Sequence, residues 1–113
     1  MAMKRFVALY MGSATARERP MPDQATIARG MTAWHKWMTD HAEAVVYSGG
    51  PLGKTKRIDP KGISDTKNAV AGFVIVEAES HEAAAKLFEG HPHFSIFPGD
   101  SVEIMECLPV PGA

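Results

Sequence analysis

The sequence predicts an α+β domain: four antiparallel strands, two helices on one face of the sheet, and a flap inserted between the halves. Three observations carry this. Residues 69–76 form an unbroken apolar, β-branched run that passes at once into a capped helix. Ile27, Met31, Trp34 and Met38 recur at helical spacing between two short apolar runs. The first and third strands are apolar on both faces, whereas two helices cover one face only. The order is therefore βαβ, flap, βαβ, the ferredoxin-like βαββαβ arrangement. The uncovered face calls for a second copy of the chain, so that two sheets enclose a dimeric α/β barrel.

Strand one spans Lys4 to Met11, with Phe6 to Leu9 apolar on both faces. Lys4-Arg5, the apolar run to Met11 and Ser13-Ala14-Thr15-Ala16 imitate a secretion signal, but that run is shorter than the roughly 7–15 residues of a signal core. Gly12 to Pro22 reads as a polar loop, and Asp23 as the cap of helix one. Gly30 and Trp37 flank the helical stripe on one side and His35 on the other, and the helix ends near His41. Strand two covers Ala44 to Ser48 and is broken by Gly49-Gly50-Pro51. Residues 52–68 form a twisted hairpin or flap turning at Asp59-Pro60-Lys61-Gly62; it is rich in cations.

In strand three, Phe73 and Ile75 point one way, and Val70, Val74 and Val76 the other. Ser80 caps helix two, whose inner face is Ala84, Leu87, Phe88 and His91; Gly90 closes it and Pro92 stops it. Phe94 to Asp100 is a loop. Strand four is Val102 to Leu108, and 109–113 a frayed tail.

The chain has 113 residues, enough for one domain spanning 1–113, and 45% of them are apolar. A net charge of −1 argues against nucleic acid as a partner. A single cysteine, Cys107, makes no internal disulfide; a reducing, cytoplasmic setting is expected, with Cys107 buried. No apolar run is long enough for a membrane span, and neither cofactor nor metal is expected.

Ser48-Gly49-Gly50-Pro51-Leu52, the stretch AGFVIVEAESHEAAAKLFEG and the closing SVEIMECLPV resemble the YCII-related, DGPF-type family over roughly Lys4 to Pro109. The resemblance implies the dimeric ferredoxin-like α/β barrel. Its biochemical role is largely unassigned, but it implies an acid–base pair: a His on helix one and an Asp before a Pro after helix two. Here the Asp-Pro position holds His91-Pro92, and on helix one only His35 fits the other role. The acidic turn that names the DGPF group is missing from 52–68.

The candidate catalytic residues are thus His91 and His35. His93, Trp37, Ser48 and Lys54 are the candidate ligand-binding residues. His91 reads either as a helix-end cap or as a pocket acid/base, since histidine titrates near neutrality; His93 follows Pro92, off the helix, and either lines the pocket or points to solvent. A metal bound by His-x-His alone has little support. Trp34 belongs to the core stripe, and Trp37, off its centre, to a pocket or interface. Ser48 to Thr55 imitates a phosphate loop but lacks its first glycine and its helix. Lys54, Lys56 and Arg57 are either a solvated flap or the mouth of a site for an anion.

Two functions fit. One is a small-molecule enzyme or binder that uses histidine acid/base chemistry on an anionic or aromatic ligand. The other is a non-catalytic dimeric ligand-sensing or interaction domain. A pocket holding two histidines favours the first; one filled by Met, Trp and Phe side chains favours the second.

Overall fold

The computed structural model describes residues 2–12 and 22–112; most of the expected loop Gly12–Pro22 and the signal-like Ser13–Ala16 lie outside them. The elements are β1 (Lys4–Met11), α1 (Gln24–Asp40), β2 (Val45–Pro51), β3 (Thr55–Asp59), β4 (Gly62–Thr66), β5 (Val70–Ala78), α2 (His81–Lys86), α3 (Pro92–Ser95) and β6 (Ser101–Glu106). The main sheet is antiparallel, in the order β2-β5-β1-β6, which is the ferredoxin-like arrangement.

Alternation sorts the sheet into two faces. Phe6, Ala8 and Tyr10 of β1 and Val74, Val76 and Ala78 of β5 are buried with Trp37, Ala84 and Phe88 in one core. The register places Phe6 beside Val76 and Ala8 beside Val74, so these apolar rows stack across the central pair. The other face carries Val7 beside Ile75 and Leu9 beside Phe73, continued by Met105 and Tyr47. Those four central side chains are half-buried, while Met105 and Tyr47 are exposed.

Local signals explain the ends of the elements. Asp23 caps α1 by accepting from the Thr26 amide, and Ser80 caps α2 by accepting from Ala83. The flap is the hairpin β3–β4, and Asp59 accepts from the Lys61 amide inside its turn. Ile58 and Ile63 pair across it and remain 76% and 72% exposed.

Four expectations need correction. β2 is not broken by Gly49-Gly50-Pro51 but runs through it, with Gly50 opposite Phe73 and Pro51 opposite Gly72. β2 is an edge strand with irregular register, where a proline and a bulge are tolerated. The buried side of α1 is turned toward Gly30 and Trp37, leaving Met31 45% exposed. The reason is Phe97: a Cβ on Gly30 would come within 2.5 Å of its ring, so the helix approaches closely only along the glycine side. α2 ends at Lys86, and Pro92 does not merely stop it but opens α3 as its first residue. Cys107 lies past the end of β6 and is exposed rather than buried.

Candidate functional site

Between α1 and the β2 edge of the sheet lies a cavity of about 490 Å³. Met31, Trp34, His35 and Met38 of α1 form one wall; Ser48 to Pro51 of β2 and Ala71 to Phe73 of β5 form another. Tyr10, His93 and Phe97 complete it. The space exists because the sheet is bare of side chains there. Gly49, Gly50 and Gly72 meet at the bulge, and a Cβ on Gly72 would sit 3.0 Å from the Gly50 carbonyl oxygen. Gly49 takes φ of 61°, a backbone state that favours glycine, and a Cβ on it would collide with the Phe73 carbonyl.

Two of the histidines reach this cavity. His35 stands on its wall from the exposed side of α1. Of the two positions open to His93, the solvent-facing one does not hold: the residue is 8% exposed, and its Nε2–H donates to the Met11 carbonyl at 2.9 Å. That bond places a hydrogen on Nε2. Ser48 also lines the cavity.

His91 does not line it. Its side chain is 0% exposed and sits among the rings of Trp34, Trp37, Tyr10 and Phe88, with centroids 4.6, 4.8, 5.1 and 5.8 Å away. It is a cap, but not of the helix expected. Rather than closing α2 as a cation, it opens α3 as an acceptor, taking the His93 amide hydrogen on Nδ1 at 3.0 Å. Burial pushes its pKa down to about 4, helped by the nearby His93 and His41, so the ring is neutral. Tyr10, which lies between His91 and the cavity, has its pKa pushed well up by burial.

Trp37 is likewise corrected. It is 7% exposed in the core, donates from Nε1 to the Leu87 carbonyl at 2.8 Å and packs at a tilt on Phe88. Trp34, assigned to the core from the stripe, does pack against the core and is also the tryptophan on the cavity wall. The deeper burial of Trp37 follows from the rotation of α1 toward Gly30. Lys54 faces a separate, open hollow of about 930 Å³ at the root of the flap, with Lys56, Lys67 and Asp65. In that hollow Lys56 is tied to Asp65, and no histidine is present.

Sequence reasoning missed Tyr10 and Phe97, whereas the close backbone approach expected at Gly72 is met by the Gly50 carbonyl. Tyr10 had a signal: it is the one hydroxyl on the inward face of β1, after Phe6 and Ala8. Phe97 had none, because its role depends on where the chain after α3 returns. Among the described residues, no three His, Cys, Asp or Glu side chains cluster as a metal would require, and no helix is long and apolar enough to cross a membrane.

A ferredoxin-like sheet with a half-apolar open face and a cavity under its first helix defines the class of protein. The family follows from the comparison of sequences: the model of the YCII-related domain matches residues 7–108, and the chain belongs to that family. No curated protein sequence matches it. Among solved structures, it is similar to 5-chloro-2-hydroxyhydroquinone dehydrochlorinase from Burkholderia phenoliruptrix, in complex with 2,5-dihydroxybenzoquinone. The two share 17% identity and a TM-score of 0.52, over 89% of this chain and 90% of the other, a likeness of fold.

Proposed function

We propose that this chain is a homodimeric small-molecule protein whose cavity takes a planar aromatic or small anionic ligand, with His93 and His35 as its acid–base groups. The observation that carries this reading is the cavity itself: aromatic and methionine walls, unfilled, with two histidines opening into it. Met, Trp and Phe side chains line the space rather than occupy it, which favours a ligand over a purely structural role. Histidine is the side chain whose unperturbed titration falls near neutrality, so proton transfer is the chemistry on offer.

The dimer rests on the open sheet face, where Val7, Leu9, Phe73 and Ile75 form a contiguous apolar patch rimmed by Met105 and Tyr47. A second copy covers such a patch by two-fold pairing. An exposed, unpaired Cys107 suits a reducing compartment such as the cytoplasm.

The ligand of the similar dehydrochlorinase supplies the first probe. Calorimetric titration with 2,5-dihydroxybenzoquinone, 4-hydroxybenzoate and a non-aromatic dicarboxylate should give binding for the planar rings, weakened in His93→Gln and His35→Ala. Failure of every ring to bind the wild type, at concentrations up to its solubility, removes this reading.

A further inference from the structure

We propose that Tyr10 is the cavity's dedicated hydrogen-bond donor, aimed by His91, and that the site therefore takes a ligand presenting an acceptor oxygen, a phenolate, carboxylate or quinone carbonyl. This rests on the small-molecule reading above and goes beyond it in naming the group that selects the ligand.

The donor and acceptor roles follow one another along a short chain. The backbone amide of His93 can only donate, and its bond ends on His91 Nδ1 at 3.0 Å. Nδ1 therefore holds a lone pair, and a neutral imidazole then carries its hydrogen on Nε2. The polar atom facing Nε2 is the Tyr10 hydroxyl oxygen, at 3.4 Å. His91 has no access to water, so Nε2–H is spent on that oxygen. Tyr10 accepts from His91, and its own hydrogen finds no acceptor among the described residues.

Tyr10 also lines the cavity. Its ring cannot turn away freely: Trp34, His91 and His93 pack around it at centroid distances of 4.9, 5.1 and 5.2 Å. On its remaining side, a Cβ at Gly72 would already stand 3.4 Å from Cδ2. A held phenol with one spare hydrogen, in an apolar cavity, favours a ligand oxygen over an apolar edge. His91 is a positioning residue in this scheme. It touches no ligand, yet it decides that the phenol donates rather than accepts.

The test has two parts, both on the full chain. Long-range imidazole ¹⁵N–¹H correlation at pH 7 should show His91 as the Nε2–H tautomer; the Nδ1–H tautomer overturns the inference without any ligand. Titration with 2,5-dihydroxybenzoquinone, followed by its visible absorption, should give about tenfold weaker binding to Tyr10→Phe than to wild type, as for loss of one bond to a charged acceptor. The bound probe's spectrum should differ between the two proteins, which a change in packing alone would not produce. Benzene, which offers no oxygen, should bind both alike. Equal affinity for the quinone with an unchanged spectrum overturns the role of Tyr10 while leaving the cavity reading intact. No binding to wild type overturns both.

Discussion

Lowering the pH should destabilise this protein through His91, and the size of the effect can be worked out. The imidazole titrates near its ordinary 6.5 when the chain is unfolded and at about 4 when folded. Burial is the first cause. The groups that can charge around it are His93 within α3, His41 at the end of α1 and Tyr10 on β1; the first two repel a second cation, and Tyr10 stays neutral. Because the folded pKa is depressed, the unfolded state binds the extra proton first. The penalty is absent above about pH 6.5, grows as pH falls through the window between 6.5 and 4, and levels off below it. The whole shift corresponds to about 3 kcal/mol, and about 2–3 after allowing for screening by water in the adjoining cavity. Protonation also places a hydrogen on Nδ1 against the His93 amide, so the cap of α3 is lost in the same step. Urea unfolding at pH 7.5, 6, 5 and 4 measures it, with His91→Asn as reference. Asparagine can still accept at a helix N-cap but cannot titrate. The variant should be less stable at pH 7.5 and should lose less stability than wild type on acidification. Parallel pH profiles for the two proteins would refute the buried neutral histidine.

Three further outcomes are expected. Gly49→Ala should cost at least about 1–3 kcal/mol in thermal or urea unfolding, because its positive φ and the Phe73 carbonyl both exclude a Cβ. Trp37→Phe should cost about 1–3 kcal/mol by leaving the Leu87 carbonyl unpaired, while affinity for a cavity ligand changes little. Light scattering should return twice the 12.2 kDa chain mass for wild type, and Leu9→Glu, at the centre of the open sheet face, should shift it toward the monomer.

Much of the fold was legible because it rests on local rules. β1 ran from Lys4 to Met11 as expected, Asp23 and Ser80 capped their helices, and the flap turned at Asp59 to Gly62. The misreadings share one cause, which is that tertiary contacts chose among local options. The stripe Ile27–Met31–Trp34–Met38 is periodic, yet the helix buries its Gly30–Trp37 side, because a glycine permits closer approach than a methionine. Gly49-Gly50-Pro51 looks like a break, yet an edge strand can carry it. The site was half legible. A histidine next to Pro92 does line the cavity, but which ring faced it depended on α3, a single turn that no periodicity announces.

The exchange between His91 and His93 bears on how such a site could work. The resemblance places an acid before the proline, opposite a histidine on the first helix. In this chain Gly90, at φ of 69°, turns the backbone out of α2, and Pro92 starts α3 with its fixed φ. A residue at position 91 is thereby committed to capping, and its ring is drawn under Trp34 and Trp37, away from the cavity. A carboxylate could cap from there too, but a large ring also fills the space between the two tryptophans and Phe88. Histidine at this position instead holds a neutral ring whose far nitrogen lies 3.4 Å from the Tyr10 hydroxyl oxygen. On the proposed reading, acid–base work in this cavity falls to His93 and His35, because His91 is buried and does not line it.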